Sequence, residues 1–295
     1  MIQGSIVAIV TPMLPDGEID FASFDRLIEW HVDSGTDAIV VVGTTGESPT
    51  LSAEEHCAVL RHCVEKVAGR LPVIAGTGSN STREAIFFTR QAREFGASAA
   101  LLVAPYYNKP SQEGLYQHFK KISEEIDIPQ ILYNVPGRTG CDILPETVSR
   151  LADLDNIVGI KEASGNLDRC VELIRSCGDR IAIYSGDDAT AMETILAGGK
   201  GNISVTANLV PAQMHEICAL ALAGNAEAAS ALNAPLGSLH HKLFVEGNPV
   251  PVKWAMAQLG LIQPGIRLPL VELTAAFRVP LLDAMREAGL TPGAN

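Results

Sequence analysis

The chain has 295 residues, 47% of them hydrophobic and 19% charged, with a formal net charge of −12 at pH 7. This composition is too apolar for a disordered protein, and no apolar run reaches the roughly 18 residues of a membrane helix. An acidic chain without a basic cluster is a poor candidate for binding nucleic acid or anionic lipid. The N-terminus has no signal-peptide pattern, and together these features predict a cytoplasmic globular protein and favour an enzyme.

Short β-branched apolar runs alternate along the chain with amphipathic stretches of helical length. Eight such alternations predict a parallel α/β sheet, for which closure into a (β/α)8 TIM barrel is the preferred arrangement. A doubly wound open sheet, which usually has fewer strands, is the alternative. The predicted strands are Ser5–Thr11, Asp37–Val42, Pro72–Ala75, Ala99–Val103, Gln130–Tyr133, Ile157–Lys161, Ile181–Tyr184 and Gly201–Ser204.

The helix signals divide the chain into two regions. Ser52 and Ser81 each precede a glutamate three residues later, which predicts a capping box at two helix starts. After residue 206 the strand signals stop, and we expect a barrel domain over residues 1–225 and a C-terminal helical region over residues 226–295. The helices predicted after the last strand are Pro211–Ala223, Ala226–His241, Pro251–Leu259 and Val271–Ala288.

One lysine stands at a position suited to chemistry. The C-terminal ends of barrel strands converge on the mouth where barrel enzymes carry their active sites, and Lys161 directly ends an apolar strand. Burial disfavours the charged form of a lysine, and a free amine can form a Schiff base with a carbonyl substrate. A structural ion pair with Glu162 or Asp187 is the alternative.

Other polar groups are predicted at the same mouth. Three of the five tyrosines, Tyr106, Tyr107 and Tyr133, lie at strand ends, where a phenol can relay protons or simply pack half-buried. The turn Thr44–Gly46 offers backbone N–H groups to a carboxylate, or is an ordinary βα turn. Arg138 can grip a second carboxylate or form a structural ion pair.

Neither a metal nor an organic cofactor is expected. The six cysteines and seven histidines are dispersed without the spacing of a zinc site, which predicts reduced structural thiols. The run Gly76–Gly78 lacks the third glycine of a dinucleotide fingerprint, because position 81 is serine. The pair Asp187–Asp188 is interpreted as a helix N-terminus rather than a metal site.

The motifs together resemble those of the pyruvate-dependent class I aldolase family, which includes N-acetylneuraminate lyase, over essentially the whole chain. The resemblance implies condensation of pyruvate with L-aspartate 4-semialdehyde followed by cyclisation, the first committed step of the diaminopimelate and lysine pathway, without metal or cofactor. The motifs are Gly43-Thr44-Thr45-Gly46-Glu47, Tyr133-Asn134-Val135-Pro136 and Gly159-Ile160-Lys161-Glu162-Ala163, supported by Pro105-Tyr106-Tyr107-Asn108-Lys109-Pro110 and Pro249-Val250-Pro251-Val252-Lys253-Trp254.

The resemblance also implies a role for each site residue. Lys161 forms the Schiff base with pyruvate, and Tyr133 shuttles protons, linked through Thr44 to Tyr107, which reaches the neighbouring subunit's site. The region of Thr44 and Thr45 holds the pyruvate carboxylate. The aspartate semialdehyde carboxylate is received by Arg138, and the pocket is shaped by Gly186 and Ile203.

Two alternative functions remain at this point. N-acetylneuraminate lyase and the keto-deoxy sugar-acid lyases share the lysine and tyrosine, but a sugar acid needs hydroxyl-binding groups where this chain has Arg138. A non-catalytic amino-acid-binding barrel is the third candidate. The presence of Lys161, Tyr133, Thr44 and Arg138 together argues against a site without catalytic activity.

Regulation and assembly are further implications of the resemblance. L-Lysine is expected as a feedback inhibitor in a pocket at a dimer interface, within a homotetramer built as a dimer of dimers. The sequence departs from lysine-inhibited relatives at Pro49 and Ala53, where relatives carry Ala and His, and Glu84 has the alternative role of a capping-box residue. The positions matching the effector pocket are Ser48, His56, Asn80, Glu84 and Tyr106.

Overall fold

The computed structural model describes residues 1–293 and forms a closed barrel of eight parallel strands in sequential order. The TIM-barrel prediction is therefore confirmed. The strands are β1 (Gly4–Ala8), β2 (Ala38–Val41), β3 (Val73–Gly76), β4 (Ala99–Val103), β5 (Gln130–Asn134), β6 (Ile157–Glu162), β7 (Ala182–Ser185) and β8 (Gly201–Ser204).

Helices follow the strands and cover the barrel. Those up to the last strand are α1 (Phe21–Asp33), α2 (Ala53–Val67), α3 (Thr82–Phe95), α4 (Gln112–Glu125), α5 (Pro136–Thr139), α6 (Pro145–Leu151), α7 (Leu167–Cys177) and α8 (Ala191–Leu196). Those after it are α9 (Pro211–Leu222), α10 (Ala226–Asn233), α11 (Gly237–Lys242), α12 (Val250–Gln258) and α13 (Ala275–Glu287). Within residues 1–293, none of these helices combines the length and apolarity needed to cross a membrane.

Alternation along the strands separates the barrel interior from its outer surface. Interior side chains form one apolar cluster that includes Ile6, Val40, Leu101, Ile131, Tyr133, Tyr184 and Ile203. The outer face of β5 and β6 carries Leu132 and Ile160 and packs against the surrounding helices. Because β5 pairs with β6 in the register Tyr133 to Lys161, these two side chains lie side by side on the interior face.

Three elements differ from the sequence predictions by more than one residue at an end or by an internal break. Strand β1 ends at Ala8 rather than Thr11, because the Val10 N–H donates to Asn208 Oδ1 at 3.1 Å instead of continuing the sheet. The stretch predicted as one helix over 226–241 is divided by a 3-10 turn at Ala234–Leu236, where Pro235 has no N–H to continue the helix. The last helix begins at Ala275 rather than Val271, since the Thr274 N–H donates to Glu246.

The two predicted capping boxes have different outcomes. At Ser52 both reciprocal bonds to Glu55 are present, so the prediction is confirmed. At Ser81 the hydroxyl accepts the Glu84 N–H at 3.5 Å, but the Glu84 carboxylate bonds the Ser79 hydroxyl instead of the Ser81 N–H. The Ser81 N–H donates to Ser79 Oγ at 3.1 Å, so Ser79 occupies the place of the second half of the box.

Candidate active site

Lys161 lies in the barrel interior near the C-terminal end of β6. The residue is only 5% exposed, and its Nζ atom lies 4.4 Å from the centre of the Tyr133 ring. Among residues 1–293, no carboxylate oxygen is within 4.0 Å of Lys161 Nζ. The alternative of a structural ion pair is therefore wrong, and the amine remains available to a carbonyl compound.

The two carboxylates considered as partners of Lys161 are engaged elsewhere. Glu162 accepts the Ser164 N–H at 2.8 Å and the Asn134 amide at 3.0 Å, and burial raises the pKa of its carboxyl against these hydrogen bonds. Asp187 accepts the Gly165 N–H at 2.8 Å. Burial raises the pKa of Asp187, while the Gly165 N–H and the charge of Lys161 oppose the rise.

Gly186 lies against the lysine stem, and Ile203 lies in the same barrel interior. A Cβ atom on Gly186 would lie 2.8 Å from Lys161 Cε and 2.5 Å from the Ala163 Cβ, so only glycine leaves room for the lysine stem at this position. Ile203 on β8 is fully buried in the same interior cluster as Tyr133. These contacts restrict the space around the amine to that of a small molecule.

The turn after β2 is held from several sides. Thr11 Oγ1 donates to the Gly46 carbonyl at 2.7 Å, and Asn248 donates its side-chain amide to Thr45 Oγ1 at 2.9 Å. Glu47 has a left-handed φ of 58° and is 1% exposed, and its carboxylate pairs with Lys253 of α12. Burial lowers the pKa of Lys253, and Glu47 opposes this effect. A turn fixed in this way presents Thr44 and Thr45 in one conformation.

Arg138 lies on α5 and its guanidinium is largely uncommitted. One nitrogen donates to the Asn248 carbonyl at 3.2 Å, and the described part of the chain places no carboxylate within 4.0 Å of the guanidinium. The structural ion pair considered for Arg138 is thus wrong. Asn248 connects the two predicted carboxylate-binding groups, because it bonds Arg138 through its backbone and Thr45 through its side chain.

Sequence reasoning did not identify Asn248, Glu47 or Lys253 as parts of this site. Glu47 and Lys253 belong to the two motifs quoted for the family resemblance, but they stand about 200 positions apart. Their pairing is a property of the closed fold. The signals in the sequence were a glutamate directly after the turn and a lysine within an apolar helix, and neither signal identifies the residue with which it pairs.

Tyr107 and Tyr106 lie on the loop after β4. Tyr107 has a left-handed φ of 74° and is 88% exposed in the single chain, so its phenol is accessible from outside the chain. The Tyr106 carbonyl accepts the side-chain amide of Asn80 at 3.1 Å, and the Asn80 carbonyl accepts the amide of Asn108 at 2.9 Å. The loop that carries both tyrosines is thereby tied to the residues just before α3.

A cavity of about 420 Å³ brings together four of the five predicted effector residues, Ser48, His56, Glu84 and Tyr106. Asn80 is not part of the lining, but it bonds the backbone of Tyr106. The lining also includes Pro49 and Ala53, together with Thr44 and Arg138 of the active-site mouth. A larger cavity of about 620 Å³ lies at the opposite, N-terminal end of the barrel, around Ile2 and Tyr184.

His56 is the buried polar wall of the smaller cavity. Its ring stacks on Phe88 with centroids 4.2 Å apart, and burial lowers its pKa to about 4. Its Nε2 atom is buried without a hydrogen-bond partner in residues 1–293. An uncharged imidazole with a free nitrogen can accept a hydrogen bond from a ligand's ammonium group.

Comparisons with a family model and with named relatives indicate the same family. Residues 1–288 match the model of the dihydrodipicolinate synthetase family. A protein of Alcanivorax borkumensis named 4-hydroxy-tetrahydrodipicolinate synthase is 61% identical over 98% of this chain and 99% of its own length. A protein of the same name from Pseudomonas aeruginosa is 58% identical over 98% and 99% of the two chains.

Solved structures agree over the full length. Dihydrodipicolinate synthase from Acinetobacter baumannii, described as chloride inhibited and complexed with pyruvate, superposes with a TM-score of 0.98 at 55% identity over 99% of this chain and 100% of the other. The enzyme from Cyanidioschyzon merolae with lysine bound has a TM-score of 0.94 at 40% identity over 98% and 99%. This chain therefore belongs to the dihydrodipicolinate synthetase family of class I, pyruvate-dependent lyases.

Proposed function

We propose that Lys161 and its surroundings catalyse the condensation of pyruvate with L-aspartate 4-semialdehyde, followed by cyclisation, in lysine and diaminopimelate biosynthesis. The 4-hydroxy-tetrahydrodipicolinate synthase activity follows from family membership and from 57–61% identity to relatives of that name over nearly the whole chain. The observation that carries the residue assignment is the buried Lys161 amine beside Tyr133, which has no carboxylate partner among residues 1–293.

The chemistry begins at the lysine. The Lys161 amine adds to the ketone carbon of pyruvate, and loss of water gives a protonated imine. Tyr133 then removes a methyl proton, and the resulting enamine carbon attacks the aldehyde of the second substrate, whose oxygen takes up a proton. The amino group of that substrate finally attacks the imine carbon, which closes the ring and returns the free amine to Lys161.

The substrate carboxylates are assigned to two groups. The Thr44–Thr45 turn, fixed by Asn248 and Glu47, supports binding of the pyruvate carboxylate, and Gly186 and Ile203 restrict the pocket to a small substrate. Arg138 is exposed and has no carboxylate partner in the described part of the chain, which supports binding of the semialdehyde carboxylate in preference to the hydroxyl groups of a sugar acid.

Regulation, assembly and location form the finer part of the proposal. L-Lysine is the proposed effector in the cavity lined by Ser48, His56, Glu84 and Tyr106, and the lysine-bound relative supports this choice. The exposed Tyr107 supports a dimer in which its phenol completes the partner's proton relay, within a homotetramer built as a dimer of dimers. The six free cysteines support a reducing, cytoplasmic location.

The test is chemical trapping of the imine combined with an assay. Borohydride reduction in the presence of pyruvate is expected to add a stable adduct to Lys161, located by mass spectrometry of the digest. Lys161→Ala is expected to lose the adduct and to lower kcat/KM by at least about a thousandfold. An adduct on another lysine, or turnover of N-acetylneuraminate in place of aspartate semialdehyde, would contradict the proposal.

A further inference from the structure

A second cross-strand pair lies directly behind Lys161 and Tyr133. The register of β5 and β6 places Asn134 opposite Glu162, one residue beyond the catalytic pair. Successive strand residues face opposite sides, so Asn134 and Glu162 lie on the outer face of the barrel wall. Both are buried, with exposures of 0% and 1%.

The Asn134 amide uses all of its hydrogen-bonding groups. Its nitrogen donates to Glu162 Oε2 at 3.0 Å and to Asp142 Oδ1 at 2.8 Å, and its oxygen accepts the Ile143 N–H at 2.9 Å. Asp142 is held in turn by two bonds of 3.1 Å from Arg169 of α7. The ends of β5 and β6 are therefore joined to each other and to a helix.

Glu162 is bonded on both of its carboxylate oxygens. Oε1 accepts the Ser164 N–H at 2.8 Å, while Oε2 accepts Asn134. Within residues 1–293, no lysine or arginine nitrogen lies within 4.0 Å of the Glu162 carboxylate. A buried carboxylate without such a partner is costly where an apolar side chain would fill the same space. Glu162 directly follows Lys161 on the same strand, which indicates a role at the active site beyond packing.

We propose that Asn134 and Glu162 are positioning residues, which lock the ends of β5 and β6 so that the Tyr133 phenol stays within reach of the imine on Lys161. The inference rests on the proposed function of Lys161 and Tyr133. Imine formation needs the lysine and pyruvate, whereas removal of the pyruvate methyl proton also needs an aligned tyrosine. A loosened pair is expected to slow proton removal and to leave imine formation nearly unchanged.

Three variants test the pair. Asn134→Asp replaces the donating amide with an acceptor that faces the carboxylates of Glu162 and Asp142. Glu162→Gln replaces one of the two accepting oxygens with a donating amide nitrogen, which then faces either the Asn134 amide nitrogen or the Ser164 N–H. In the double variant the new glutamine donates to the new aspartate and still accepts the Ser164 N–H, and the new aspartate still accepts the Ile143 N–H. The double variant therefore restores the cross-strand bond with its polarity reversed, although the new aspartate also faces Asp142.

Two rates are measured on each variant in full-length protein. Deuterium uptake into the methyl group of pyruvate, without the second substrate, reports proton removal, and borohydride trapping on Lys161 reports imine formation. Each single variant is expected to exchange at least about tenfold more slowly with trapping within about threefold of the unaltered protein. The double variant is expected to exchange at least about threefold faster than Asn134→Asp, because the cross-strand bond returns while the new aspartate still faces Asp142.

Asn156→Asp is the matched control, because it makes the same substitution just before β6, where Asn156 donates to the Ser123 carbonyl at 3.1 Å. It is expected to leave both rates within about twofold. Equal slowing of exchange by Asn156→Asp, or a parallel fall of exchange and trapping in the single variants, would make the pair merely structural and overturn the proposal.

If one single variant does not fold, the folded double variant decides, since it must exchange faster than the single variant that folds. Loss of trapping in the unaltered protein would instead refute the proposed function, which keeps the two failures distinct.

Discussion

Arg138 is the residue on which we propose that substrate choice depends. Its guanidinium donates one bond to the Asn248 carbonyl and has no carboxylate within 4.0 Å among residues 1–293. The remaining donors are free to form the two parallel bonds that a carboxylate accepts. Because the Asn248 contact is at 3.2 Å from a single nitrogen, it orients the guanidinium without occupying it.

Arg138→Ala is expected to weaken the use of aspartate semialdehyde selectively. Loss of charge-assisted hydrogen bonds of about 1.5–3 kcal/mol corresponds to a fall of about 10- to 150-fold in kcat/KM for that substrate. Arg138→Lys keeps the charge without the bidentate geometry, so its kcat/KM for the semialdehyde is expected to lie between those of the unaltered protein and Arg138→Ala. Steady-state kinetics with varied semialdehyde, beside trapping of the pyruvate adduct, measure the effect. Equal losses in both measurements would indicate a structural arginine.

The predictability of single residues follows from the range of their interactions. Lys161 and Tyr133 could be predicted because each stands at the end of an apolar strand, and the C-terminal ends of all barrel strands lie at the same mouth. Glu47 and Lys253 could not be paired from the sequence, because nothing local to either residue specifies the other. Asn248 was missed for the same reason, since its partners Thr45 and Arg138 lie 203 and 110 positions away in the sequence.

At the scale of elements, the cavity beside the active site is built where α2 and α3 begin. His56 of α2 stacks on Phe88 of α3, and Glu84 stands in the first turn of α3. The second half of the predicted capping box is absent, so the Glu84 carboxylate is held by the Ser79 hydroxyl. A carboxylate held at the wall of a cavity, opposite an uncharged imidazole, suits a ligand with ammonium groups.

L-Lysine is expected to inhibit the enzyme with a potency that is nearly constant between pH 6 and 8. The pKa of His56 is lowered to about 4 by burial, so the ring stays uncharged in this range and would repel the ligand only as the pH falls towards 4. Glu84→Gln is expected to weaken inhibition about tenfold or more, by loss of a charged bond. Activity titrations with lysine measure this, and a flat response to tens of millimolar would contradict it.

The boundaries of elements were predicted where local signals decide them. The Ser52 box at the start of α2 needs only four neighbouring residues, and it forms as expected. The end of β1 was wrong because Asn208, far along the chain, takes the N–H of Val10. The Ser81 box was wrong because a third hydroxyl, Ser79, competes for the same carboxylate.

Over the whole molecule, the helical region from residue 226 and the barrel share one hydrophobic core. Leu239, Val252 and Met256 of the C-terminal helices lie in the same buried cluster as Val7 and Phe24 of the barrel. Asn248 and Lys253 of this region also hold the turn at Thr45 and Glu47. We propose that the region completes the active site and unfolds together with the barrel.

Because the chain is strongly acidic, substrate binding depends on how firmly the groups at the barrel mouth are held. Both proposed substrates carry a carboxylate, and pyruvate is an anion, yet the chain carries a formal charge of −12. The overall field therefore opposes the approach of pyruvate, and the affinity for both substrates is expected to depend on groups at the barrel mouth. The Thr44–Thr45 turn and Arg138 must be held in place before substrate arrives, and the contacts with residues 248 and 253 supply that order.

Lys253→Met is therefore expected to lower both stability and pyruvate binding. It leaves the Glu47 carboxylate buried without its partner, which costs about 3–5 kcal/mol in the free energy of unfolding, and it loosens the turn, so KM for pyruvate is expected to rise. Adding Glu47→Gln is expected to restore most of the stability, because no buried charge remains unpaired.

Urea unfolding at fixed protein concentration measures the change, with Lys66→Met as the control. Lys66 forms a partly exposed pair with Glu29, so its loss is expected to cost less than about 1 kcal/mol. A single transition in every variant follows from the shared core. Two separate transitions, with a turn that keeps its pyruvate affinity in Lys253→Met, would mean that the helical region is an independent unit and that the barrel holds its own site.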